Sequence, residues 1–220
     1  MDDTYRTDFP NLGRCVIINN KNFLPQTGLR TRHGSDKDEA AVKKTFEDLG
    51  YKVTVHKDLT RKQMKKELEK VSQEDHSENT SFVCVILSHG DEDGIYGTDN
   101  YEPIKMRGLL KYFTKDKCGT LDGKPKIFFL ESPGQRVFLD ADFLCAFASA
   151  PGYGSRTSPE SGSWFMMTLC EMIAKYRDLE LTQIMTRVNR KVAFDYETEK
   201  GHKQMPCVVS MLTKDFYFPK

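Results

Sequence analysis

Short apolar runs rich in β-branched residues alternate along this chain with amphipathic helical patterns, and that alternation restricts the fold more than any other feature. Residues Cys15 to Ile18 have the pattern of a strand buried on both faces. A helix follows, capped by Ser35 or Asp36, with Val42, Phe46 and Leu49 recurring on one face and Gly50 closing it. Tyr51 to His56 alternates with period two, and Thr60 then caps a second helix carrying Met64, Leu68 and Val71. The third strand is Phe82 to Leu87, another helical pattern runs from Pro103 to Phe113, and the fourth strand is Lys126 to Leu130. This β-α-β-α-β order implies an α/β fold with a mostly parallel sheet covered on both faces. The second half continues with a strand at Phe143 to Ala148, helices at Ser163 to Tyr176 and Leu181 to Phe194, and a last strand at Cys207 to Leu212. No repeat or linker divides the chain, so a single domain over 1–220 is expected.

Composition narrows the function classes. Lys and Arg total 33 against 32 Asp and Glu, a net charge of +1. That balance leaves no electrostatic footprint for nucleic acid or a membrane surface, and the expected partner is a protein. The basic residues on the second helix, Arg61 to Lys70, are interleaved with Glu67 and Glu69 and read as a solvated face. Six cysteines are scattered without a C-x-x-C pair, so neither a metal nor another cofactor is expected. The polar start of the chain and the shortness of its longest apolar run, Phe82 to Leu87, predict a soluble cytoplasmic protein.

In open α/β sheets, functional groups collect beyond the carboxyl ends of the strands. Here the third strand delivers Ser88, His89 and Gly90, and the fourth delivers Glu131, Ser132 and Pro133. A histidine at a strand end is more often a structural hydrogen-bonding residue than a base. The wider wording changes that reading: Cys-Val-Ile-Ile-Asn-Asn-Lys-Asn-Phe ending at Phe23, Phe-Val-Cys-Val-Ile-Leu-Ser-His-Gly-Asp ending at Asp91, Gly-Ser-Trp-Phe at 162–165, Thr-Arg-Val-Asn-Arg-Lys at 186–191, and Pro-Cys-Val-Val-Ser-Met-Leu-Thr-Lys-Asp at 206–215.

With these phrases the chain closely resembles the executioner caspases over nearly its whole length. The resemblance implies the caspase-like three-layer sandwich, with about 1–135 similar to the family's large subunit and about 136–220 to its small one. It implies a catalytic role for His89, which deprotonates the thiol and protonates the leaving amine. Gly90 matches the glycine whose N–H helps form the oxyanion hole, and Arg32 matches one of the arginines that grip a substrate aspartate. The family's Gln-Ala-Cys-Arg-Gly falls on Glu131, Ser132, Pro133, Gly134 and Gln135, at a spacing from His89 that suits the family. The nucleophile position is therefore Pro133, which has neither a reactive heteroatom nor an N–H.

Other departures accompany it. Glu131 replaces the pocket's glutamine, Thr157 its second arginine, and Gly154 and Arg156 its aromatic wall, while Trp164 matches an aromatic near the substrate groove. Arg32 is expected to pair with Glu131, which makes the pocket near neutral and rejects aspartate. Arg156 is offset by one residue from the vacated place, which in a strand reverses its direction. Ser132 also lies one position off as a substitute nucleophile, and Pro133 with Gly134 suits the centre of a type II turn. The family's cleavable linker is essentially gone, because Gln135 to Asp140 leads at once into Asp142. The leading expectation is a catalytically inactive caspase homologue in apoptotic signalling, which pairs with itself or with an active caspase through Cys207 to Leu212. The alternatives are a protease with a rearranged or modified site and a small-ligand module at the same crevice.

Overall fold

The structure, a computed structural model, describes residues 3–99, 102–135 and 140–218. Its elements in chain order are β1 (Asn11–Asn19), α1 (Ser35–Leu49), β2 (Lys52–Lys57), α2 (Arg61–Ser72), β3 (Asn79–Leu87), α3 (Met106–Leu110), β4 (Lys126–Pro133), β5 (Phe143–Ser149), β6 (Thr157–Ser158), β7 (Gly162–Ser163), α4 (Trp164–Lys175), α5 (Leu181–Asp195) and β8 (Cys207–Ser210). Six strands form one sheet in the order β2-β1-β3-β4-β5-β8, parallel except for the antiparallel β5–β8 pair at one edge. The expected α/β sandwich is the observed one.

Period two along the central strands assigns each side chain to a layer. Cys15, Ile17, Val83, Val85, Ile127 and Phe129 pack with Val42 and Phe46 of α1 and with Leu169 and Ile184 of α4 and α5. Their neighbours Val16, Ile18, Phe82, Cys84, Phe128 and Leu130 pack on the opposite face with Met64 and Leu68 of α2 and Leu109 of α3. Burial on both faces explains why these strands read as continuous apolar runs rather than as alternating ones. On the second face Phe113 and Phe82 stack with ring centroids 4.3 Å apart.

The helix ends show where local signals suffice. Thr60 closes a full capping box on α2: its hydroxyl accepts from the Gln63 N–H, and the Gln63 side chain accepts from the Thr60 N–H. Replacing Thr60 with Ala is expected to cost about 1 kcal/mol in urea denaturation. The expected Ser35 or Asp36 cap on α1 is not formed. The capping position is Gly34, left-handed at φ 96°, and a Cβ there would lie 2.2 Å from the Ser158 carbonyl oxygen. Close approach of the β6–β7 hairpin thus sets the start of α1. The helix expected from Pro103 is shorter, because Ile104 bridges to Ile95 as extended chain and Lys111–Phe113 tightens into a 3₁₀ turn. The final strand ends at Ser210, not at Leu212.

Candidate functional site

Chain leaving the carboxyl ends of β1, β3 and β4 meets the β6–β7 hairpin around a cleft of about 570 Å³. It lies beside the point where the strand order reverses, between β1 and β3. Arg32, His89, Gly90, Glu131, Pro133, Gly154 and Thr157 all line it. Asn20, just past β1, ties these segments together: its amide N–H groups reach the Tyr96 carbonyl at 3.2 Å and the Ser88 hydroxyl at 3.4 Å, and its oxygen accepts from the Leu59 N–H at 2.9 Å.

His89 is held on two sides. Its Nε2 lies 2.7 Å from the Arg30 carbonyl oxygen, and its ring is 4.9 Å from that of Phe23. A carbonyl only accepts, so Nε2 carries the proton and Nδ1 is left as the basic nitrogen. Burial pushes the imidazole below its ordinary pKa, the Arg30 carbonyl partly opposes that, and the Arg32 charge adds to it. The ring is therefore neutral at physiological pH, in the state of a base. A Cβ on Gly90 would sit 2.8 Å from the Gly94 carbonyl oxygen and 2.9 Å from the Ser132 Cβ, which leaves room only for glycine.

The segment expected to be a type II turn is a strand. β4 continues to Pro133, which faces Ser149 across a register shift that begins after Leu130. Gly134 lacks the left-handed backbone that such a turn demands at its third position, and its N–H donates to the Ser149 carbonyl at 2.8 Å. Ladder pairing with β5 overrides the local Pro-Gly preference, and the irregularity in the ladder accommodates a residue with no N–H. Strand alternation turns Glu131 and Pro133 to the cleft, while Ser132 between them is absent from its lining, with its hydroxyl 3.5 Å from the Pro133 carbonyl. None of the cleft-lining residues is a cysteine. The six thiols lie elsewhere, five of them buried, and burial pushes each one up.

Behind the cleft lies a charge cluster that the sequence pattern had only half disclosed. Arg32 is 8% exposed and Glu131 2%, yet they form no ion pair within 4.0 Å among the described residues, so the expected contact pair is replaced by attraction at longer range. The cluster has a third member, Asp38 on α1, whose carboxylate also acts on both. One Asp38 oxygen accepts from the Ser163 N–H at 2.7 Å, which fixes the β6–β7 hairpin to α1. Glu131 is pushed up to about 7, by burial first and by the Asp38 charge second, with Arg32 working against both. Asp38 is likewise pushed up to about 6 by burial, against the Ser163 N–H and Arg32. The two acids titrate as a pair beside one fixed cation. The Ser155 and Ser163 hydroxyls favour the Glu131 anion, but neither reaches it with good hydrogen-bond geometry.

Two expected residues stay outside the cleft. Arg156 is exposed, with its N–H on the Gln204 side-chain oxygen at 2.8 Å and its carbonyl accepting from the Trp164 N–H at 3.1 Å. Trp164 opens α4 and stacks on Tyr196 with centroids 5.2 Å apart, so its indole packs between helices rather than along the cleft.

The family model for the caspase domain matches residues 12–217. The chain belongs to the caspase family. Caspase-3 of Felis catus is 43% identical over 245 residues, covering 99% of this chain and 88% of the relative. Caspase-3 of Mesocricetus auratus and of Mus musculus are each 44% identical over the same span and shares. Those alignments are longer than the 220 residues of this caspase-family chain, so the relatives carry residues without a counterpart in it. The shortened connection expected between Gln135 and Asp140 includes 136–139, which lie outside the described residues. Among the described residues no group of three or more His, Cys, Asp or Glu could hold a metal, and no helix is long and apolar enough to cross a membrane.

Proposed function

We propose that this chain is a catalytically inactive caspase homologue, a single cytoplasmic domain that regulates apoptotic signalling by pairing with itself or with an active caspase. One observation carries the reading: Pro133 occupies the cleft that also holds His89 and Gly90, and no thiol lines that cleft. A base without a nucleophile cannot form an acyl-enzyme. Glu131 and Thr157 stand where the resemblance puts residues that grip aspartate, which adds a second obstacle. The β8 edge supports the pairing. It closes one side of the sheet with half-buried Cys207, Val208 and Val209, followed by exposed Met211, and an open strand edge is a template for another strand.

Native mass spectrometry of the chain alone and mixed with active mouse caspase-3 tests this reading. A homodimer, or a mixed dimer with altered peptide cleavage by the partner, is expected. A strictly monomeric chain that leaves the partner's activity unchanged would sink it. Retention of His89 favours the competing protease reading, so turnover by the chain alone that His89→Ala abolishes would put that reading in its place.

A further inference from the structure

The charged end of the cleft contains an unusual set of unsatisfied groups. Arg32 Nη1, both carboxylate oxygens of Glu131 and one oxygen of Asp38 are buried without a hydrogen-bond partner. Arg32 and Glu131 also line the cleft. Buried polar atoms in folded proteins are nearly always paired, so an unpaired donor and unpaired acceptors on two residues of a cleft's lining describe what an occupant must supply. The donor is one guanidinium N–H group of Arg32, and the acceptors are the two Glu131 carboxylate oxygens.

Three side-chain chemistries compete for that place. A carboxylate satisfies Arg32 but adds an anion next to Glu131 and Asp38. An ammonium satisfies Glu131 but confronts Arg32. A primary carboxamide offers one acceptor and two N–H donors and brings no net charge to desolvate. We propose that the cleft binds peptides through an asparagine or glutamine side chain, with the carboxamide oxygen on Arg32 and its N–H groups on Glu131. Gly154 and Thr157, which also line the cleft, are small enough to leave the side chain its space. This proposal rests on the reading of the chain as a binding module, since the peptide is held and not cut.

The test is fluorescence anisotropy with fluorescein-labelled Ala-Ala-Val-Xaa peptides, capped as methylamides, in which Xaa is Asn, Gln, Asp or Lys. At about pH 8, where Glu131 is ionised, the Asn or Gln peptide is expected to bind at least about tenfold tighter than the Asp and Lys peptides, a difference of roughly 1.4 kcal/mol. Glu131→Gln should shift the ranking toward Asp. Arg32→Gln, read in the same way, should shift it toward Lys and serves if the first variant does not fold. Equal or tighter binding of Asp or Lys by the parent overturns the proposal, as does an unchanged ranking in a folded variant or the absence of binding below about 1 mM. Mass spectrometry of the same mixtures separates the two readings. A cleaved peptide refutes inactivity while leaving the carboxamide preference standing, whereas an uncut and unbound panel refutes the preference alone.

Discussion

Peptides with aspartate before the scissile bond should remain uncut in a solution of this protein, while a variant carrying Pro133→Cys, Glu131→Gln and Thr157→Arg should cleave them. Loss of the nucleophile alone costs on the order of 10⁶ in turnover in a dissected serine protease. Replacing proline also returns a backbone N–H beside the reacting centre, and one such donor is worth roughly 10²–10³. Pro133 already lies in the same cleft as the neutral imidazole of His89, so the new thiol has a base available. Pro133→Cys by itself should gain a thiol that iodoacetamide labels, because the other cysteines are buried or half-buried with raised pKa values. It should gain little turnover, since Glu131 still opposes an acidic side chain. Fluorogenic release and intact mass after alkylation check both statements. Ordinary cleavage by the parent would refute the assignment of Pro133.

Stability should fall as the pH is raised from about 5 to about 8, by something on the order of 2–3 kcal/mol, and Glu131→Gln should remove much of that slope. The sign follows from which state holds the proton. Glu131 is pushed up to about 7 from an ordinary 4.5, and Asp38 up to about 6 from 3.8. Between those values the folded chain binds more protons than the unfolded one, so raising the pH favours unfolding. His89 acts in the opposite sense: its lowered pKa makes the unfolded chain the better proton acceptor just below 6.5, which partly offsets the trend. Arg32 stays charged throughout and restrains both carboxylates. Urea denaturation across this range measures the slope. A parent that becomes more stable with rising pH would show that the carboxylates are compensated by contacts other than Arg32.

Periodicity made the central sheet legible because its strands are buried on both faces and its helices present a continuous apolar stripe. It erred where a distant segment decides a local shape. Gly34 takes the head of α1 because the Ser158 carbonyl presses on it, and Pro133 stays in a strand because β5 lies alongside. His89, Gly90, Arg32, Glu131, Pro133 and Thr157, far apart in the chain, line one cleft. Asp38 escaped notice because an acid in the first turn of a helix normally needs no explanation beyond the helix dipole. Its partner, Ser163, lies 125 residues further along the chain, so no local pattern could have joined them. The packing of Trp164 was hidden in the same way, since its stacking partner Tyr196 lies beyond the end of α5.

The bare backbone at position 34 has an architectural meaning. With no side chain there, the β6–β7 hairpin rests directly on the first turn of α1, and the pocket wall is seated by contact between two main chains. The side chains facing the pocket, Glu131, Pro133 and Thr157 among them, can therefore change without unseating that wall. The container and its contents are under separate control: the pocket keeps its outline whichever side chains furnish it.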